Sequence, residues 1–175
     1  SKEIYNKLGD SAKIGQNLAQ MAIIQSDLGD FIGSDNTAIQ ALKYLDKENL
    51  EYRASVYNCI AISAKKRKDY KEAIYWYHKA IESSTISSNK AIRSSNLAVT
   101  YRHLKEYDTS IAIFKELIKD SLLNKDSKAT SRVLDNLAYT KWLANKNENV
   151  SDDLLAVLNT RLAENDLWGL NASYA

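Results

Sequence analysis

Three asparagines stand in one short phrase. Asn17-Leu18-Ala19, Asn96-Leu97-Ala98 and Asn136-Leu137-Ala138 share all three residues, and Cys59-Ile60-Ala61 is a conservative version of it. A side-chain amide both donates and accepts, so a row of them suits the main chain of a bound peptide. The same amides serve equally well for bonds within the protein. Other reactive groups form no constellation. His78 and His103 pair with no cysteine or carboxylate at metal-ligand spacing, so no metal and no other cofactor is expected. Cys59 replaces an asparagine in the phrase, and is expected to pack near a helix crossing rather than act as a nucleophile. Gly29 and Gly33 lack the lysine and serine or threonine of a phosphate loop. Glu106 and the other carboxylates form no acid–base pair, so no enzyme is expected.

The elements behind the phrase are set by its spacing. The alanines sit at 19, 61, 98 and 138, so successive intervals are 42, 37 and 40 residues. A period in that range belongs to stacked helical units, which serve as surfaces for holding other molecules. Composition agrees. The 175 residues contain no proline and five glycines, too few for a turn-rich β fold. At 45% hydrophobic and 26% charged residues, a continuous core is affordable in area. The net charge of +2 gives no general attraction to nucleic acid or to a membrane. The run Lys65-Lys66-Arg67-Lys68 suits a solvated helix end, where cations complement the helix dipole.

Apolar stripes place the helices. Tyr57, Ile60, Ala61 and Ala64 share one helical face, followed by Tyr70, Ala73, Ile74, Tyr77, Ala80 and Ile81 on a second helix. Leu97, Ala98 and Tyr101, then Tyr107, Ser110, Ile111, Phe114, Leu117 and Ile118, repeat the plan. Tyr70/Tyr107, Ile74/Ile111, Tyr77/Phe114 and Ile81/Ile118 all differ by 37. At the start, Ile14, Leu18 and Met21 suggest one stripe, and Ala38, Ile39, Leu42 and Leu45 another. At the end, Leu134, Leu137 and Ala138 precede a link rich in asparagine. Ser151 then reads as an N-cap, with Asp152 and Asp153 in the first turn and a stripe of Leu154, Leu155, Leu158 and Leu162.

The segment Tyr57…Ile60-Ala61…Asp69-Tyr70-Lys71-Glu72-Ala73-Ile74…Tyr77…Ala80-Ile81 resembles the tetratricopeptide repeat (TPR) family. That family's unit is a helix pair of about 34 residues with small residues at the helix crossing. The likeness continues through Leu97-Ala98…Tyr101…Glu106-Tyr107…Ser110-Ile111…Phe114. The flanking units depart from it: Lys141 sits where Tyr101 sits one unit earlier, and the closing proline is missing throughout. The resemblance implies an all-α, TPR-like right-handed superhelical solenoid of antiparallel helix hairpins. One domain over 1–175 is expected, with units at about 11–48, 54–84, 91–120 and 131–163, and a truncated further repeat over 164–175. Both ends read as cuts in a longer protein, and the style is similar to TPR regions of bacterial regulators of the Bacteroides group.

In such arrays the first helix of each unit lines a concave groove. The resemblance therefore points to Asn58 and Lys65, to Asn96, Arg102 and His103, and to Arg132, Asn136, Tyr139 and Trp142 as partner-binding residues. Amides would bond a peptide backbone, cations would meet carboxylates, and Tyr139 with Trp142 would cover an apolar side chain. The expected role is non-catalytic binding of a protein or peptide, as the interaction region of a larger bacterial signalling or regulatory protein. The expected place is its cytoplasmic or periplasmic region. Two alternatives stand beside it. One is an extracytoplasmic sensor of a small molecule. The other is a structural spacer that self-associates as a homodimer through a face including Trp168 and Leu170. Neither nucleic acid nor membrane contact is expected.

Overall fold

The computed structural model describes residues 2–119, 127–147, 149–163 and 165–166. Every regular element among them is an α-helix: α1 Lys2–Asp27, α2 Phe31–Tyr44, α3 Leu50–Lys66, α4 Tyr70–Glu82, α5 Ser87–His103, α6 Tyr107–Lys119, α7 Ser127–Ala144 and α8 Ser151–Ala163. The all-α helical-repeat class expected from the period is the class observed. Of the repeat expected over 164–175, Trp168 and Leu170 lie outside the described residues. No helix among the described residues is long and apolar enough to cross a membrane.

Three of the helix links, α1–α2, α3–α4 and α5–α6, share one mechanism. Helix α1 ends at Gly29 with φ +84°, and Asp30 N donates to the Gln25 carbonyl at 2.9 Å. Lys68 (φ 65°) and Lys105 (φ 64°) take the same left-handed place after α3 and α5. There Asp69 N donates to Ala64 O and Glu106 N to Tyr101 O, each at 3.0 Å. This six-to-one closure satisfies carbonyls the helix end leaves open. The next residue starts the following helix: Asp30 Oδ1 accepts from Gly33 N at 2.9 Å, and Asp69 Oδ1 from Glu72 N at 3.1 Å. Lysine in the left-handed region carries a steric cost that glycine does not. Lys68→Gly is therefore expected to stabilise the protein by about 0.5–1 kcal/mol. Thermal unfolding followed by circular dichroism checks this, and a lowered midpoint refutes it.

The contacts divide the chain into two compact parts, Ser1–Arg93 and Ser94–Ala175. In the first part the core is Ala19, Ala22, Ala38, Ala41, Leu45, Val56, Cys59 and Ile60, contributed by α1, α2 and α3. Small residues let these backbones approach. A Cβ built on Gly15 would lie 3.0 Å from Leu45. Buried hydroxyls are satisfied across helices, Ser34 Oγ donating to Ala22 O at 2.7 Å and Ser63 Oγ to Phe31 O at 2.9 Å. Trp76 stacks on Tyr57 with ring centroids 5.5 Å apart, which makes it a packing residue between α3 and α4. In the second part the buried residues include Leu97, Ala98, Phe114, Val133, Leu137, Ala138 and Val157.

The outer stripes differ from their expected form. Ile14 and Met21 are about half exposed while Ala19 and Ala22 beside them are buried. In α2 Ile39 is exposed and Thr37, Ala38 and Ala41 are inside. In α8 Leu154, Leu155 and Leu162 are exposed, whereas Val157 and Arg161 are buried. In α1 and α2 small residues, not the largest ones, face the neighbouring helix, whereas α8 turns Val157 and Arg161 inward. Close approach there outweighs side-chain bulk. Ser151 lies inside α8 rather than capping it, and its N–H donates to Asn149 Oδ1 at 3.0 Å. Asp152 and Asp153 do occupy the first turn.

Candidate functional site

The first part of the chain holds a pocket of about 240 Å³. Three first helices build it. Helix α1 brings Ile23, Ser26 and Asp27; α3 brings Ser55, Asn58, Cys59 and Ile62; and the start of α5 brings Asn89, Ile92 and Arg93. Each contributes one isoleucine, so the lining combines an aliphatic surface with amides, hydroxyls and one exposed carboxylate. Burial pushes the Cys59 thiol up to about 11, which leaves it protonated and weakly nucleophilic at neutral pH. Asn58 Oδ1 is buried and has no hydrogen-bond partner.

An ion pair fixes one wall. Arg93 is buried at 4% exposure, and its Nη2 lies 2.8 Å from Glu51 Oε1. Its guanidinium also donates to Ser55 Oγ at 3.0 Å and to Ser84 Oγ. Glu51 accepts from Asn89 Nδ2 at 2.9 Å, from Thr85 N at 2.8 Å and Thr85 Oγ1 at 3.0 Å, and from Ile86 N at 3.1 Å. One carboxylate of α3 thus neutralises a buried cation and caps the entry to α5. Burial acts to raise the Glu51 pKa, but the bonds from Asn89, Thr85 and Arg93 outweigh it and hold the carboxyl at about 2.

The second part holds an aromatic and cationic cluster. Arg102 Nη1 donates to Asn136 Oδ1 at 2.9 Å, and its guanidinium carbon lies 5.0 Å from the Tyr139 ring centre. Tyr139 and Trp142 stack with centroids 6.0 Å apart and planes at 22°. Lys146 Nζ sits 3.1 Å over the Trp142 ring. Tyr139 is 49% and Trp142 38% exposed, so both rings are partly open to solvent. Burial holds the Arg102 pKa below its ordinary value, and the electrostatic effect of Tyr139 opposes this only in part.

The residues singled out from the sequence fall into these two places. Asn58 lines the pocket; Lys65, one turn beyond Ile62, has its ammonium 5.8 Å from the Tyr77 ring centre. Arg102, Asn136, Tyr139 and Trp142 come together in the cluster. Asn136 spends its amide inside the protein, accepting from Arg102 and donating to Arg132 O at 2.9 Å. Asn96 is half-buried, and its carbonyl accepts from Thr100 Oγ1 at 2.8 Å. His103 and Arg132 have exposed side chains. The sequence reading missed Ile23, Ser26 and Asp27, because the stripe drawn on α1 was turned away from them. It also missed Glu51 and Arg93, which look like ordinary surface charges until the fold pairs them. Among the described residues, no group of three or more histidines, cysteines and carboxylates is placed to hold a metal ion.

Residues 53–86 match the tetratricopeptide repeat family model. That span covers α3 from Arg53 onward, α4 and the following turn, the segment on which the resemblance is strongest. No curated protein sequence matches the chain. Among solved structures, the crystal structure of BtubC (BKLC) from P. vanneervenii is similar over 97% of this chain and 87% of that one. The TM-score is 0.54 and the identity 13%, a likeness that speaks for the fold alone.

Proposed function

We propose that the chain is a non-catalytic module that binds a protein or peptide along the exposed faces of its first helices. The tetratricopeptide match at residues 53–86 supports a protein-interaction role in general. The observation that carries the finer reading is the pocket itself. Successive first helices α1, α3 and α5 each place an isoleucine and a polar side chain in one concavity. An extended peptide fits that chemistry, with an apolar side chain against Ile23, Ile62 and Ile92 and its amides against Asn58 and Ser55. Asp27 at the rim favours a cationic neighbour in the peptide. Within this reading Lys65, Asn96, His103 and Arg132 supply further polar contacts. Tyr139 and Trp142 cover an apolar group, and Asn136 holds Arg102 against Tyr139.

Selection from a random peptide display library tests the proposal. Enriched sequences are expected to carry an aliphatic residue next to a lysine or arginine. Ile62→Asp should weaken their binding about 30-fold or more, the loss typical of a central anchor. Replacing Arg102 and Trp142 together with alanine should weaken partners that use the aromatic cluster, with helicity intact. Failure to enrich any peptide, or unchanged binding by both variants, overturns the proposal. We further propose, on the resemblance to TPR regulators, that the module is the interaction region of a larger bacterial signalling or regulatory protein. A membrane helix followed by a kinase or helix-turn-helix segment in the reading frame beyond residue 175 is the expected finding. A stop codon there removes that context.

A further inference from the structure

The aromatic cluster of the second part already holds two cations of the chain's own. Asp135, Tyr139, Trp142 and Lys146 follow one another at intervals of four, three and four. The first three therefore lie along one side of α7, and Lys146 continues the row just past the helix end at Ala144. Arg102 reaches the same row from α5, bonded to the Asn136 side chain and placed 5.0 Å from the Tyr139 ring centre. Lys146 sets its ammonium 3.1 Å over Trp142. Tyr139, Trp142 and Lys146 are all exposed.

Charge decides what such a row attracts. Asp135, the carboxylate within it, is neutralised by Arg161 of α8, and Asp153 of α8 is engaged by Lys141 at 2.9 Å. Arg102 and Lys146 stay with the rings. The face of an aromatic ring carries the negative end of its quadrupole and draws cations, while the edge carries the positive end. Here Arg102 and Lys146 already serve the faces. A further cation brought by a partner would meet two positive charges and rings already engaged. A carboxylate would meet two attracting charges and the positive ring edges.

We infer that the cluster takes an acidic peptide segment, a carboxylate beside an apolar side chain, with Lys146 as the residue that reads the charge. This rests on the reading of the chain as a peptide-binding module. The apolar side chain lies on Tyr139 and Trp142. The Lys146 stem stays on the indole while its ammonium turns to the incoming carboxylate. Arg102, tied to Asn136, adds a fixed positive charge beside it. Two cations suit a short run of carboxylates, and a net charge of +2 draws no polyphosphate to the chain as a whole. The preference is opposite in sign to that of the pocket, where Asp27 favours a cation. A partner that uses both places must carry a basic and an acidic segment.

Fluorescence anisotropy with the 175-residue chain tests this, using a fluorescein-labelled peptide in which leucine and phenylalanine are flanked by glutamates. Versions with glutamine or lysine in place of the glutamates are the comparisons. The acidic peptide is expected to bind about 10-fold more tightly than the glutamine version, and the lysine version should be weakest. Raising the salt should weaken the acidic peptide alone, because exposed charges are screened. Lys146→Glu should abolish the preference for acid. Lys115→Glu, the same change of charge on α6, should leave it within about twofold. Equal binding of the acidic and glutamine versions overturns the inference, as does a preference that survives Lys146→Glu. An oligothymidylate of equal charge that binds more tightly than the acidic peptide overturns it too, and assigns the cluster to nucleic acid. Peptides enriched on the pocket are measured separately. If they bind and the acidic peptide does not, this inference alone falls; if neither binds, the peptide-binding reading falls with it.

Discussion

Replacing Glu51 by alanine is expected to cost about 3–5 kcal/mol of stability, the loss typical when one member of a buried ion pair is removed. Arg93 would remain at 4% exposure without its carboxylate, and the amides of Thr85 and Ile86 would lose their shared acceptor. Urea unfolding at neutral pH measures it as a lowered midpoint. A loss below about 1 kcal/mol would mean that water already screens the pair as at an ordinary surface site. The same carboxylate makes stability depend on pH. Its folded pKa of about 2 lies below the ordinary 4.5, so the folded state holds the proton more weakly than the unfolded chain does. Its contribution is complete above about 4.5 and disappears as the pH falls through about 2. Titrating stability between those limits should show a fall in the wild type that is much reduced in Glu51→Ala.

How far the sequence shows this molecule can be argued from single residues. The paired stripes of the two central repeats were readable because Tyr77 and Phe114, Ala73 and Ser110, Ala61 and Ala98 all occupy corresponding buried places. There the burial pattern follows the 3.6-residue period. The outer helices misled because bulk was taken as the sign of burial. In α1 the core-facing side is Gly15, Ala19 and Ala22, and the large residues Met21 and Ile24 face out. Close helix crossings select small residues, so the largest apolar side chains on such a helix are the ones left for another surface. The candidate pocket was half legible. Ser55, Asn58, Ile62 and Ile92 follow from the repeat phase on α3 and α5. Ile23 and Asp27 required the true rotation of α1. Glu51 and Arg93 are 42 positions apart in the sequence, and nothing local distinguishes them from solvated charges.

The second buried ion pair should behave differently. Arg161 of α8, at 2% exposure, meets the Asp135 carboxylate of α7. Here burial prevails over the cation, and the Asp135 pKa is raised rather than lowered. The folded state therefore binds the Asp135 proton more tightly than the unfolded chain. This residue opposes stability above its folded pKa, and that cost is relieved as the pH falls through it. Asp135→Ala is nonetheless expected to lose about 3 kcal/mol, because the buried guanidinium of Arg161 loses that carboxylate. Replacing both members, Asp135→Leu with Arg161→Met, should restore stability to within about 1 kcal/mol of wild type, since desolvation of both charges is then removed. The matching pair of changes at the other site, Glu51→Leu with Arg93→Met, should remain destabilised. No apolar side chain can accept from Thr85 N and Ile86 N. Urea midpoints of the two double-mutant cycles separate the cases. Equal recovery at both sites would mean that Glu51 contributes only as a counter-ion and that the α5 entry finds its acceptors elsewhere.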